Sequence, residues 1–250
     1  MDMTHFLLAA AILFGASLIQ SMIGFAFNLI AIPLLVWSGF DLAQAVAMTS
    51  IPIFVQLSLS GWQLRAYIVP REIVRPALIR FLTLPAGIAL LGWINAADSA
   101  TIKTFVGIVL LAILLIQHSV RFTPRDDLHP LWDWLAFGVS GLMLGMIGMG
   151  GPPVVLWLMA HDWHPKRIRA FVTALFWIAA PVQIALLYAR LGEEAARAFG
   201  WGLLLLPVVI VAALLGVRIG NTFDRARLQQ AVTLFLFLTA IVSIVSPWLR

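Results

Sequence analysis

Two stretches decide how this chain folds: Met22-Ile23-Gly24-Phe25-Ala26-Phe27-Asn28, followed by Pro33, and Met146-Ile147-Gly148-Met149-Gly150-Gly151-Pro152-Pro153. Each lies inside an apolar run too long for one straight bilayer crossing. The run 6–38 has 33 residues and the run 132–160 has 29. As a single helix, 33 residues would reach about 50 Å, against a hydrocarbon core of about 30 Å. Glycine frees the backbone and a double proline removes two N–H donors, so both runs are predicted to break at these stretches. Unwound backbone at membrane depth is tolerated only inside protein or beside a watery cavity.

Outward from the breaks, six further apolar runs cover 42–62, 73–95, 102–120, 167–190, 198–221 and 228–249, each 19 to 24 residues long and suited to one crossing. The whole chain of 250 residues is 62% hydrophobic and 11% charged. A soluble domain is nearer 45–50% apolar and about 25% charged. That excess cannot be hidden inside a globule of this size, so the outer surface must be apolar and lipid must be its solvent. The fold class expected is an all-α integral membrane protein in the inner membrane. The net charge of +5 sits in short breaks between apolar runs. Basic residues there set topology, and no nucleic-acid partner is expected. There is no cysteine. Disulfides, thiolate catalysis, thiolate metal sites and cysteine relays for sulfur groups are excluded. Met1 to His5 carries no Lys or Arg, and the first apolar run is far longer than a signal-peptide core, so it reads as mature structure.

The two breaks are related by an internal repeat. A shift of 124 residues aligns Leu18 with Leu142, Met22-Ile23-Gly24 with Met146-Ile147-Gly148 and Thr49 with Thr173. It also aligns Leu90-Leu91-Gly92 with Leu214-Leu215-Gly216 and Leu110 with Leu234, without a gap. The chain therefore reads as two four-segment transmembrane repeats, 1–124 and 125–250, each opening with a broken helix. Such duplication is common in secondary transporters.

Charge discriminates between two topologies. If all eight runs cross, the 16 basic residues divide nine to seven, which sets no orientation. If the two long runs enter and turn back, one side holds twelve: Arg65, Arg71, Arg75, Arg80, Arg121, Arg125, Lys166, Arg167, Arg169, Arg218, Arg225 and Arg227. The other holds Lys103, Arg190, Arg197 and Arg250. The positive-inside rule favours this second arrangement and puts the twelve in the cytoplasm. Each half then has three full crossings and a re-entrant hairpin. An odd crossing number inverts one half relative to the other.

A broken helix exposes a useful end. The second half-helix of each long run is expected to start near Asn28 and near Pro153, with free N–H groups and a positive dipole end turned toward the midplane. Asn is a favoured N-cap and Pro suits a first helical turn. Two such ends meeting on a pseudo-twofold axis would hold an anion without any buried cation. Polar residues within the apolar runs are Gln20, Ser21, Asn28, Thr49, Ser50 and Gln56 in the first half, and Ser140, Thr173 and Gln183 in the second. Gln56 and Gln183 are costly to bury and are the better donors to a ligand. Thr49 and Thr173 are repeat-equivalent. The substrate-binding set expected is Gly24, Phe27, Asn28, Thr49, Gln56, Gly148, Gly150, Gly151, Pro152, Thr173 and Gln183.

No acidic residue lies in the middle of an apolar run. A carboxylate proton relay or cation site has no obvious residue, which favours an anionic or neutral substrate. Arg80, several residues inside the third run, is expected to snorkel to the interface. His161 and His164 lack a third ligand and read as a wet loop, so no metal is expected. Trp157 and Trp177 read as packing. No phosphate-binding glycine loop of the nucleotidase type is present. With no nucleophile–base pair at depth, no catalytic residue or cofactor is expected.

At the two breaks the sequence resembles the sulfite exporter TauE/SafE family of membrane permeases. Gly24-Phe25-Ala26-Phe27-Asn28-Leu29-Ile30-Ala31-Ile32-Pro33-Leu34-Leu35 is similar to that family's glycine-rich first motif, and Gly145 to Pro153 to its second. Ala26 stands where the family often has glycine, which implies a stiffer first break. The resemblance implies movement of small sulfur-containing anions such as sulfite, sulfoacetate or other organosulfonates. The expected partners are that small anionic substrate, the lipid bilayer, a coupling ion (proton or sodium) and a second copy in a homodimer. The alternatives are an anion channel of the same fold and a non-transporting membrane scaffold subunit.

Overall fold

The computed structural model describes residues 2–24, 26–119, 129–220 and 225–246. Phe25 of the first break, and Arg121, Arg125 and Arg250 of the charge count, lie outside these residues. The described residues form helices and no strands. The first half of the chain contains α1 (Met3–Ile23), α2 (Phe27–Trp37), α3 (Leu42–Leu64), α4 (Pro70–Ile94) and α5 (Ser99–Ser119). The second contains α6 (Pro130–Ile147), α7 (Gly151–Met159), α8 (Pro165–Leu191), α9 (Glu193–Leu204), α10 (Leu206–Gly220) and α11 (Arg225–Val245).

Local chemistry explains the boundaries. The Asp2 carboxylate accepts from the His5 N–H at 2.9 Å and caps α1. Proline opens α4, α6 and α8, where its missing N–H costs nothing. Gly24 and Gly148 end α1 and α6 in the left-handed conformation, with φ of 97° and 68°. The run 198–221, read from sequence as one crossing, is instead bent by 48° between α9 and α10. Pro207 lies just beyond the bend; it cannot donate to the Leu203 carbonyl, and its ring crowds that carbonyl.

Both long apolar runs double back. The His5 ring near the start of α1 meets the Phe40 ring just after α2, centroids 5.7 Å apart. A continuous helix over the same residues would separate them by about 50 Å. In the second run, Trp157 near the end of α7 donates to Asp133 near the start of α6 at 2.9 Å. Phe137 of α6 packs against Trp157 at 5.0 Å.

The connections consequently gather at two ends. At one, Lys166 reaches the Tyr67 hydroxyl at 3.3 Å, Arg167 pairs with Glu72, and Arg75 pairs with Asp133 at 3.2 Å. At the other, the Ala43 N–H donates to Asn95 at 3.0 Å, and Phe6 packs on Trp201 at 6.2 Å.

Packing between the halves is reciprocal: α1 lies along α10, α6 lies along α4, and α3 crosses α8 while α5 meets α11. Glycines permit the close approaches. A methyl on Gly145 would stand 2.5 Å from the Leu84 carbonyl oxygen, and one on Gly216 would stand 2.5 Å from that of Leu18. The Gly141–Gly145 and Gly216–Gly220 pairs thus serve packing within the chain.

The outer faces are apolar. Trp93 is 81% exposed and Leu82 68%, with Leu203, Leu214 and Leu234 also outward. Among the described residues six helices are individually long and apolar enough to cross a membrane, or seven if the bent α9–α10 pair is counted as one span. The chain is a multi-pass membrane protein, with lipid satisfying the outward side chains that no core covers.

Candidate anion site between the two breaks

A cavity of about 90 Å³ lies between the breaks. It has room for several waters or one small ion. Of the expected substrate-binding set, Gly24, Phe27, Asn28, Gly148, Gly150, Gly151, Pro152 and Gln183 line it, together with Gln20 and Phe176. Thr49, Gln56 and Thr173 do not.

The first break is built by two consecutive departures from helical geometry. Gly24 caps α1 with its N–H on the Gln20 carbonyl at 2.6 Å, and Ala26 follows at φ 96°. That region favours glycine, and an alanine there stores about 1–2 kcal/mol. The Gln20 side chain reaches across the break and accepts from the Phe27 N–H at 2.8 Å. The cap expected of Asn28 is therefore supplied by Gln20, and Asn28 occupies the second position of α2. Its Nδ2 donates to the Gly148 carbonyl at 2.7 Å, which ties one break to the other. Its Oδ1 is buried without a partner. The first-turn N–H groups of Asn28 and Leu29 have no intrahelical acceptor.

The second break has different chemistry. Helix α7 starts at Gly151, two residues earlier than expected, and its next two positions are Pro152 and Pro153. Neither proline has an N–H, so this end offers fewer donors than the first, although its dipole has the same sense. Ser140 holds the turn by donating to the Gly150 carbonyl at 2.5 Å. Gln183 of α8 donates to the Leu144 carbonyl at 3.0 Å, beside the cavity.

The polar residues outside the cavity are occupied by their own surroundings. Thr49 donates back to the Ala45 carbonyl at 2.9 Å, and the Thr173 methyl faces Gly61. Gln56 donates to Ser21 at 2.9 Å, joining α3 to α1, while its Oε1 is buried without a partner. His161 stacks on Trp157 at 4.0 Å and His164 accepts from the Lys166 N–H at 3.3 Å, so this pair finishes one helix and starts the next. Among the described residues no group of three metal-ligating side chains occurs. Trp157 sits in a ring cluster with Phe171 at 5.5 Å, whereas Trp177 is half-exposed and donates to Ser58 at 2.8 Å.

Arg80 departs from expectation. It does not snorkel: its side chain is 0% exposed. The close packing of α6 on α4 at Gly141 and the crossing of α8 cover it from both flanks. Its guanidinium lies 4.1 Å over the Phe176 ring and Nη1 donates to the Leu175 carbonyl at 3.4 Å. Nε and Nη2 are buried without partners. A methyl on Gly150 would stand 3.2 Å from Nη2.

The family model described as "Sulfite exporter TauE/SafE" matches residues 8–243. The chain is 25% identical over 245 residues to a protein of Cupriavidus necator named "Probable sulfite/organosulfonate exporter TauE", covering 95% of this chain and 94% of that one. No solved structure matches it. With nearly its whole length matched, from before the first break to the last helix, the chain belongs to the sulfite exporter TauE/SafE family.

Proposed function

We propose that this chain is a secondary transporter that moves small sulfur-containing anions, such as sulfite, sulfoacetate or other organosulfonates, across the inner membrane by alternating access. The observation that carries the reading is the cavity that both breaks line, each ending a helix and starting another. Helix N-termini turned toward one small space favour a negative ligand there. The name of the Cupriavidus necator relative supports the sulfur-anion class. The site is placed at midplane, with Gly24, Phe27, Asn28, Gly148, Gly150, Gly151, Pro152 and Gln183 around the ligand. Thr49, Gln56 and Thr173, expected in the same set, lie outside the cavity.

Alternating access is the mechanism we attach to an inverted repeat of 1–124 and 125–250. The reciprocal packing supports that repeat. The 124-residue shift maps α1 onto α6 and α10 onto the second part of α4, and α1 lies along α10 as α6 lies along α4. The doubled-back runs support two re-entrant hairpins, with the twelve basic residues of that side, less the enclosed Arg80, in the cytoplasm. A proton or sodium gradient is the proposed driving force, and a homodimer the proposed assembly.

The test is transport by purified protein in liposomes. Sulfite or sulfoacetate flux that responds to an imposed proton or sodium gradient is expected. Flux that follows only the membrane potential would establish the channel reading instead. No flux of any sulfur anion under any gradient would refute the proposal.

A further inference from the structure

The second break has lost two amide donors to Pro152 and Pro153, yet it faces the same cavity as the first. Behind it lies the guanidinium of Arg80, with its Nε and Nη2 unpartnered. Among the described residues the ion pairs are Asp2–His5, Arg75–Asp133 and Arg167–Glu72, so Arg80 has no carboxylate partner there. Its charge is permanent. A buried, uncompensated cation is costly, and inside a membrane protein such a residue marks a ligand or ion path.

The direction of the free groups is informative. Nη1 is engaged with Leu175 and the guanidinium face rests on Phe176. What remains is the Nε–Nη2 edge, two parallel N–H groups in the fork that matches two oxygens of one oxyanion. Nη2 lies against Gly150, the residue that precedes α7 and lines the cavity, and Phe176 lines it too. The Gly150 turn and the Phe176 ring, which both line the cavity, lie between that edge and the ligand space, with the Ser140 carbonyl and the Leu144 side chain packed on the same turn.

We propose that Arg80 is the fixed cation of the transport site, its free Nε–Nη2 edge receiving two oxygens of the sulfur oxyanion at the Gly150 turn. This rests on the reading of the cavity as the anion site and deepens it. The first break contributes amide donors, and the second contributes charge and a two-oxygen fork. The substrate class then narrows to anions presenting two or more oxygens from one centre, such as sulfite and sulfonates. Halides of the same charge are disfavoured, because a single atom takes both N–H groups only in a bent, bifurcated contact, whereas two oxygens give two linear bonds.

The experiment is anion binding to purified full-length protein, titrated with sulfite, methanesulfonate and chloride and followed by tryptophan fluorescence. It is repeated in Arg80→Gln and Arg80→Lys, with folding checked by gel filtration and thermal midpoint. Wild type is expected to bind methanesulfonate at least tenfold more tightly than chloride. Arg80→Gln is expected to lose that binding at least thirtyfold. Arg80→Lys, with charge but no fork, is expected to recover affinity while losing the preference over chloride. A folded Arg80→Gln that binds sulfonate within twofold of wild type overturns the role of Arg80 and leaves the transport reading standing. Wild type that binds other oxyanions but neither sulfite nor sulfonate overturns the sulfur-anion reading and, with it, the narrowed substrate class. If both variants fail to fold, the wild-type preference decides: equal affinity for methanesulfonate and chloride, or no anion binding, overturns the fork.

Discussion

At the scale of single residues, the two breaks make opposite predictions about the same atom. Ala26 holds a methyl in a left-handed backbone, with φ 96°, and Gly148 holds none at φ 68°. Replacing Ala26 with glycine relieves about 1–2 kcal/mol of strain and costs about 0.4–1 kcal/mol of unfolded-state entropy. Ala26→Gly should therefore leave the thermal midpoint unchanged or slightly raised. Gly148→Ala should lower stability by about 1–2 kcal/mol from the backbone alone. Its new methyl would also fall 2.5 Å from Ile32 Cδ1. Thermal unfolding of the two variants side by side checks both; a destabilised Ala26→Gly would contradict the strain. Arg80 belongs to this scale as well. Hydropathy along a run gives a residue's depth but not its direction around the helix, and direction separates a snorkelling arginine from an enclosed one.

Asp98, ahead of α5 and outside the membrane-spanning segments, predicts a pH dependence. Its carboxylate accepts from the Thr101 hydroxyl at 2.6 Å and from the Thr101 and Ala100 N–H groups at 3.1 and 3.0 Å. These bonds, the Thr101 hydroxyl first, hold its pKa below the ordinary 3.8. A depressed folded-state pKa means that the stabilisation is complete above the unfolded value. It is lost as pH falls through the lower folded value. Melting curves taken downward from pH 5 should show a loss in wild type that Asp98→Asn lacks.

At the scale of elements, the α4–α6 contact is the most sensitive seam. Gly87, Gly141 and Gly145 bring the two backbones together, and Gly145 has no room for a methyl against Leu84. Gly145→Ala should cost about 1–3 kcal/mol by overpacking, read as a lower thermal midpoint in detergent. Gly151→Ala, where nothing lies within 4 Å of the added methyl, is the control and should leave stability nearly unchanged. The break positions in the two long runs were legible in sequence because glycine and proline act through the local backbone. The bend at Leu205 was less so. A single proline inside an apolar run resembles the tolerated Pro76 and Pro85 of α4, which do not break that helix.

At the scale of the whole molecule, the sorting of connections into two ends predicts accessibility. The chain has no cysteine, so single introduced thiols report without background. Asp162→Cys should react with an impermeant thiol reagent from the same side of the membrane as Ala66→Cys, and Ala96→Cys from the opposite side. Eight straight crossings would instead group Asp162 with Ala96. The predicted grouping follows from the contacts of Lys166 with Tyr67 and Arg167 with Glu72.

The order of amino acids already says that the chain lives in lipid, where its apolar runs begin and end, and where two of them must break. These are properties of composition and backbone, which act over a few residues. It also determined the polar inventory available at depth. Only the tertiary structure decided which members of that inventory share a cavity. Thr49 turned into its own helix, Thr173 set its methyl against Gly61, Gln20 took the cap expected of Asn28, and Arg80 was enclosed behind Gly150. The physical reason is that facing is a property of neighbours. It depends on which helix covers which flank, and the glycines that set those approaches lie some 60 residues away from the side chains they enclose, as Gly141 does from Arg80.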